Sequence, residues 1–145
     1  MAAIIAVAPN GGRRTKTDHP GLPVTAAETA RTAAACREAG AAMIHIHVRD
    51  ENQRHSLDVD LYRDAIAAAR REAGPDMVIQ ATTESVGMYD SRQQMEMVRA
   101  LKPEAISMGL RELAPSEDDK ATFADFMQWL ARERIAAQII IYDMH

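Results

Sequence analysis

Apolar residues recur along this chain in two alternating periods. Short, nearly continuous apolar runs such as "AIIAVAP" (3–9) and "MVIQATT" (77–83) are bounded by turn formers. Between them lie longer stretches in which apolar positions return every three or four residues. The first kind of run reads as a buried strand and the second as an amphipathic helix. Strands are expected over 3–9, 43–48, 77–83, 104–110 and 137–143, and helices over 26–39, 59–73, 91–101 and 119–133.

The boundaries carry their own signals. Pro9, Asn10, Gly11 and Gly12 close the first strand. Thr25 and Glu28 have capping-box spacing at the start of the first helix, and Gly40 ends it. Gly74-Pro75 stops the second helix, and Pro103 lies beyond the third. In the fourth, Phe123, Phe126, Met127 and Leu130 mark one apolar face.

Strand–helix alternation without a linker argues for one parallel sheet with helices packed on it, the whole chain (1–145) forming a single unit. Two architectures compete. A five-stranded doubly wound sheet fits the length, whereas a (β/α)8 barrel fits the repeat but typically takes ~250 residues. The last run, "IIIYDMH", has no helix after it to cover it. That favours a barrel of which this chain holds about the first five strands and four helices.

Composition narrows the class only a little. Charged residues are 26% and the net charge is −4, so no basic face invites nucleic acid. No apolar run reaches membrane-spanning length, and "MAAIIAVAP" is too short for a secretory leader. The single cysteine, Cys36, suits a reducing compartment and inert packing. A cytoplasmic protein is the expectation.

One strand is chemically odd. "AAMIHIHVRD" (41–50) places His45 and His47 two residues apart inside an apolar run. Alternate strand residues share a face, roughly 6.6 Å apart. The pair sits near the carboxyl end of its strand, where α/β folds bind ligands. Two converging imidazoles can hold Zn²⁺ or another divalent metal; two core histidines satisfied by their neighbours are the plainer alternative.

Other strand ends add polar groups on the same rim: Asn10, then Thr82, Thr83 and Glu84, then Asp143, with Ser107 inside the fourth strand and Arg111 and Glu112 just past its end. Singly, each is an ordinary cap or turn former; their recurrence strand after strand points to substrate binding. The loop 10–23 carries Arg13, Arg14 and Lys16. It lacks the spacing of a P-loop, and reads either as a solvated loop or as a clamp for an anionic substrate. His19 and His55 fall in loops and receive no role.

Three stretches in order, "APNGGRRTKTDHPGLPVTAAE", "GAAMIHIHVRD" and "IQATTESVG", resemble the β-keto acid cleavage enzymes. The resemblance implies a zinc-dependent (β/α)8 barrel, usually a homo-oligomer. It implies condensation of a β-keto acid with acetyl-CoA and cleavage to acetoacetate and a new acyl-CoA. His45 and His47 then correspond to the zinc-binding histidines, Thr82 to a hydroxyl near the substrate and Asp143 to an acidic residue on the fifth strand. Asn10, Arg13, Thr83 and Ser107 complete the expected substrate-binding set.

The chain departs from that family's pattern at three points. Arg13 stands where the aminohexanoate enzyme has a glutamate, which suggests a neutral or anionic substrate side chain. Glu84-Ser85 replaces a Gly-Gly pair. Family members are about twice as long, and their third zinc ligand and catalytic arginine–aspartate pair come from later strands. The expectation is therefore a fragment of a longer product, with the catalytic groups beyond residue 145. The alternative is an inactive metal- or small-molecule-binding half-barrel that completes itself by association.

Overall fold

The computed structural model describes residues 3–142. In chain order the elements are β1 (Ala6–Val7), α1 (Ala26–Glu38), β2 (Met43–His45), β3 (Val48–Arg49), β4 (His55–Ser56), α2 (Val59–Ala73) and β5 (Val78–Thr82). They continue with α3 (Ser91–Leu101), β6 (Ala105–Gly109), α4 (Leu110–Leu113), a 3-10 turn (Glu117–Asp119), α5 (Lys120–Glu133) and β7 (Ala136–Ile140).

Strands β1, β2, β5, β6 and β7 form one parallel sheet in that spatial order. This order is consistent with the barrel reading. A doubly wound sheet reverses its strand order at a switch point; here each strand is added beside the previous one. Repeated right-handed crossovers of that kind put the helices on one face and leave the other free to line an interior. Ile44, Ile79, Ala81, Ile106 and Met108 join Tyr62, Phe126 and Leu130 in the buried core under the helices.

The five sheet strands and four crossover helices lie where the apolar periods place them, with shorter strand ends. One expected strand, 43–48, divides. The Ile46 amide still donates to the Gln80 carbonyl at 2.9 Å, but the chain then turns into an antiparallel ribbon, β3–β4, with Val48 opposite Ser56. The Asp50 side chain causes the turn. It accepts from the Asn52 and Arg54 amides at 2.9 and 2.8 Å, an Asx-type turn that lets Gln53 adopt φ 61°. His55, expected in a loop, therefore lies on a buried strand.

The capping box at α1 forms as its spacing requires: Glu28 N–H donates to the Thr25 hydroxyl, and Thr25 N–H to the Glu28 carboxylate. Lys16 adds an ammonium 2.7 Å from Glu28, and Val24 a second amide. The Lys16 contact and then these amides hold the Glu28 pKa down, from 4.5 to about 2. A depressed carboxylate stabilises the fold above its unfolded pKa, and that stabilisation fades as pH falls from about 4.5 toward 2. Glu28→Gln is expected to flatten this acid limb in pH-dependent urea melts; an unchanged limb would remove Glu28 from the account.

The sheet ends in two open edges. Among the described residues, each of β1 and β7 has one neighbour in the sheet, and next to them in the chain Ile4 is 82% and Ile141 67% exposed. Unpaired apolar edges recruit other strands. The 145-residue chain is expected to self-associate in light scattering; a monodisperse monomer would refute this. No helix among the described residues is long and apolar enough to cross a membrane.

Candidate functional site

In-register residues of a parallel sheet face the same side. His45 is in register with Gln80, Gln80 with Ala105, and Thr82 with Ser107 and then Gln138. The face away from the helices is thus polar at the carboxyl ends of the strands. The small Ala105 lets Gln80 reach across β6, where its Nε2 donates to Gln138 Oε1 at 2.9 Å. That contact orients the amide. Gln80 Oε1 then accepts from His45 Nδ1–H at 2.8 Å, which leaves His45 Nε2 with a bare lone pair.

This lone pair points at His47, whose Nε2 lies 3.0 Å away. Tetrahedral Zn–N bonds of ~2.0–2.1 Å would hold two nitrogens roughly 3.3 Å apart, close to what the pair already shows. A second-shell acceptor on the far nitrogen of a ligating imidazole is also the usual arrangement. The same 3.0 Å suits an N–H···N hydrogen bond in which His47 donates. His47 Nδ1 is buried without a partner, and it is so in either arrangement, so the fit rests on the Nε2 spacing and on the hydrogen bond behind His45. The donor set fits a divalent metal.

His47 is fixed from behind by Asn10. The Asn10 amide donates to the carbonyls of His47 (2.7 Å) and Pro23 (3.0 Å), and its Oδ1 accepts from the His47 amide (3.3 Å). Both Asn10 amide hydrogens are therefore engaged by backbone, and the residue positions the segment that carries His47. Gly12 packs beside the same ring. A Cβ there would sit 2.8 Å from Val86 Cγ2 and 3.4 Å from His47 Nδ1, so only glycine fits between them.

Burial, followed by the charges of His45, His55 and Arg49, pushes the His47 pKa down to about 2, and burial also lowers His45. Both rings are neutral at physiological pH, as metal ligands must be. The Glu84 carboxylate stands 3.6 Å from His47 Nε2, but beside a neutral ring this is not an ion pair. Among the described residues, no three His, Cys, Asp or Glu side chains stand ready to surround an ion.

The remaining expected residues fall in different places. Thr82 Oγ1 accepts from Ser107 Oγ at 3.0 Å and from the Glu84 amide at 3.1 Å. With both acceptor sites filled, its own hydrogen is left to donate outward. Thr83 is wholly buried and its hydroxyl has no partner. Arg13 is exposed and lines a cavity of about 260 Å³ with Arg49, Arg54 and His55. Asp143 lies outside the described residues.

Two residues, Gln80 and His55, receive no role from the sequence, whereas Glu112 falls on the rim just past the fourth strand. Gln80 had a signal, since it interrupts an apolar strand on the same face as Thr82. His55 had none: it stacks edge-on to His47 at 5.1 Å and donates from Nε2 to the Glu84 carbonyl at 2.6 Å. Glu112, in α4, accepts from both the amide and the hydroxyl of Ser85 at 2.9 and 3.0 Å. Neither contact follows from local spacing.

Residues 2–145 match the profile of a family described as beta-keto acid cleavage enzyme. The 3-keto-5-aminohexanoate cleavage enzyme of Fusobacterium nucleatum is 40% identical over 88 residues, covering 60% of this chain and 32% of that protein. The 3-oxoadipate:acetyl-CoA acetyltransferase of Cupriavidus necator is 28% identical over 136 residues, covering 94% of this chain and 47% of that one. The chain thus spans a third to a half of the length of these curated relatives. Among solved structures, D-glucarate dehydratase from Agrobacterium tumefaciens aligns with TM-score 0.52 and 18% identity, over 94% of this chain and 32% of the other. That likeness concerns the fold alone.

Proposed function

The chain belongs to the beta-keto acid cleavage enzyme family, and from that premise we propose that the whole protein converts a β-keto acid and acetyl-CoA into acetoacetate and a new acyl-CoA. The observation that carries this reading is the His45–His47 pair, with its two Nε2 atoms 3.0 Å apart, beside the Thr82 and Ser107 hydroxyls. The strand order supports a (β/α)8 barrel whose first part is this sheet. A homo-oligomer is the expected assembly.

The reaction balances as an exchange of acyl groups. C2 of the β-keto acid loses a proton and attacks the acetyl carbonyl, displacing the CoA thiolate. The thiolate attacks the original keto carbon, the C2–C3 bond breaks, and the proton returns to C2. Zinc, or another divalent metal, held by His45 and His47 would supply Lewis acidity to the keto and carboxylate oxygens. Gln80 keeps His45 in the tautomer with Nε2 bare. Asn10 fixes the His47 backbone. The unpledged Thr82 hydrogen suits an oxygen that gains negative charge as C2 is deprotonated.

Arg13 bears on the substrate. Arg13 and Arg54 line the same cavity, and two arginines there suit a β-keto acid with a second carboxylate. The name of the Cupriavidus relative, 3-oxoadipate:acetyl-CoA acetyltransferase, supports that substrate class. The test is a panel of neutral, cationic and dicarboxylic β-keto acids given to the full-length protein with acetyl-CoA, with the products read by mass spectrometry. Acetoacetate and acyl-CoA in equal amounts are expected, fastest for the dicarboxylates. Absence of acetoacetate from every substrate would overturn the reaction, and preference for the cationic acid would overturn the role of Arg13.

A further inference from the structure

The face that α2 turns to the core is small except at one place. Its buried residues are Tyr62, Ala65, Ala68 and Ala69. The phenol of Tyr62, 0% exposed, reaches the end of β5, where its hydroxyl donates to the Thr82 carbonyl at 3.1 Å. That carbonyl has another natural donor. The Ile46 amide donates to the Gln80 carbonyl, and a parallel ladder continued by two residues on each strand would bring the Val48 amide to Thr82. Instead the chain leaves the sheet, Val48 pairs with Ser56, and the tyrosine takes the acceptor that the ladder gives up. The Val48 amide also bears on the phenol oxygen. One hydroxyl thus stands between two strand ends. Burial pushes the phenol pKa up, so the group keeps its proton as a donor at neutral pH.

A buried tyrosine hydroxyl ordinarily finds a partner; this one finds the backbone of a site residue. Thr82 Oγ1 accepts from Ser107 Oγ and from the Glu84 amide, and has its hydrogen to give. Where that hydrogen points depends on where the Thr82 backbone sits. On the facing segment His47 directly precedes Val48. A direct ladder bond would draw the two backbones to an N···O distance of ~2.9 Å; an intervening hydroxyl keeps them further apart. We propose that Tyr62 is a positioning residue for the reaction: by taking the Thr82 carbonyl in place of Val48, it holds the sheet open between His47 and Thr82 and aims the Thr82 hydroxyl at the substrate oxygen. This rests on the role of Thr82 given above. Tyr62 itself, on the helix side of the sheet, does not touch the substrate.

The experiment is a double-mutant cycle in the full-length protein: Tyr62→Phe and Thr82→Val, singly and together, with kcat and KM measured for the β-keto acid that wild type turns over fastest. Thr82→Val is expected to lower kcat on the order of a hundredfold. Tyr62→Phe should lower kcat roughly thirtyfold and leave KM within about twofold of wild type. Added to Thr82→Val it should cost less than about twofold more, because nothing is left for it to orient. Tyr62→para-aminophenylalanine, which restores a weaker donor at the same place, should recover most of the loss. Circular dichroism and urea melts confine the comparison to folded samples. If Tyr62→Phe does not fold, the amino variant replaces it in the cycle, costing severalfold alone and nothing beside Thr82→Val. Equal losses with and without Thr82 would make Tyr62 a purely structural residue and overturn the inference. Thr82→Val as fast as wild type would overturn it through Thr82 and leave the reaction standing. No turnover by wild type would bring down the reaction and the inference together.

Discussion

Replacing His45 and His47 together by alanine is expected to remove bound metal from the protein and to lower turnover by the full-length enzyme at least a thousandfold. A thousandfold loss is about 4 kcal/mol of transition-state stabilisation, a reasonable share for a Lewis acid at the oxygen that takes up the developing charge. The fold should survive. Asn10 grips the amide and carbonyl of residue 47, not its ring, and alanine keeps both groups. Elemental mass spectrometry, turnover and circular dichroism on the same samples test the three parts together. A folded double variant that kept its metal, or kept activity within tenfold, would remove the pair from the chemistry.

The largest expected effect on stability belongs to Arg49. This side chain is buried, and its guanidinium donates to backbone: to the carbonyls of Gln53 at 3.0 Å, Asn10 at 3.4 Å and Gly11. It thereby ties the loop after β1 to the β3–β4 ribbon. Burial lowers its pKa, though arginine stays charged in any case. Arg49→Met retains most of the packing but leaves three carbonyls without their donor. The expected cost is about 3 kcal/mol, read as a fall in the urea midpoint. Arg49→Lys should recover less than half of this, because an ammonium cannot span three separated acceptors. A shift of a few tenths of a kcal/mol in Arg49→Met would mean the loop is anchored elsewhere.

The frame of the fold was legible in the sequence because it rests on local patterns. Apolar period separates strand from helix, and Thr25 with Glu28, or Gly74 with Pro75, marks an end within one turn of chain. The convergence of His45 and His47 was equally legible, since alternation along a strand puts i and i+2 on one face. The β3–β4 ribbon was not. Its turn depends on the Asp50 side chain capturing two amides in a polar segment with no apolar period. The supports of the site were hidden for a related reason. Gln80 meets Gln138 at a separation of 58 residues and Ser85 meets Glu112 at 27, and no local spacing encodes partners that only the sheet order brings together. Asn10 shows the converse: its place at a strand end suggested a ligand contact, while the fold uses it to brace a neighbour.

The amide relay across β6 also sets an order of events during synthesis. His45 finds its acceptor, Gln80, 35 residues later in the chain, and Gln80 is oriented by Gln138 after a further 58. At ~5–20 residues per second, the ribosome takes on the order of ten seconds to supply that last partner. Throughout this interval the Gln80 amide can turn either way and the His45 ring can carry its proton on either nitrogen. The nascent protein thus passes its early life with this imidazole uncommitted, and the docking of β7 selects the tautomer with Nε2 bare.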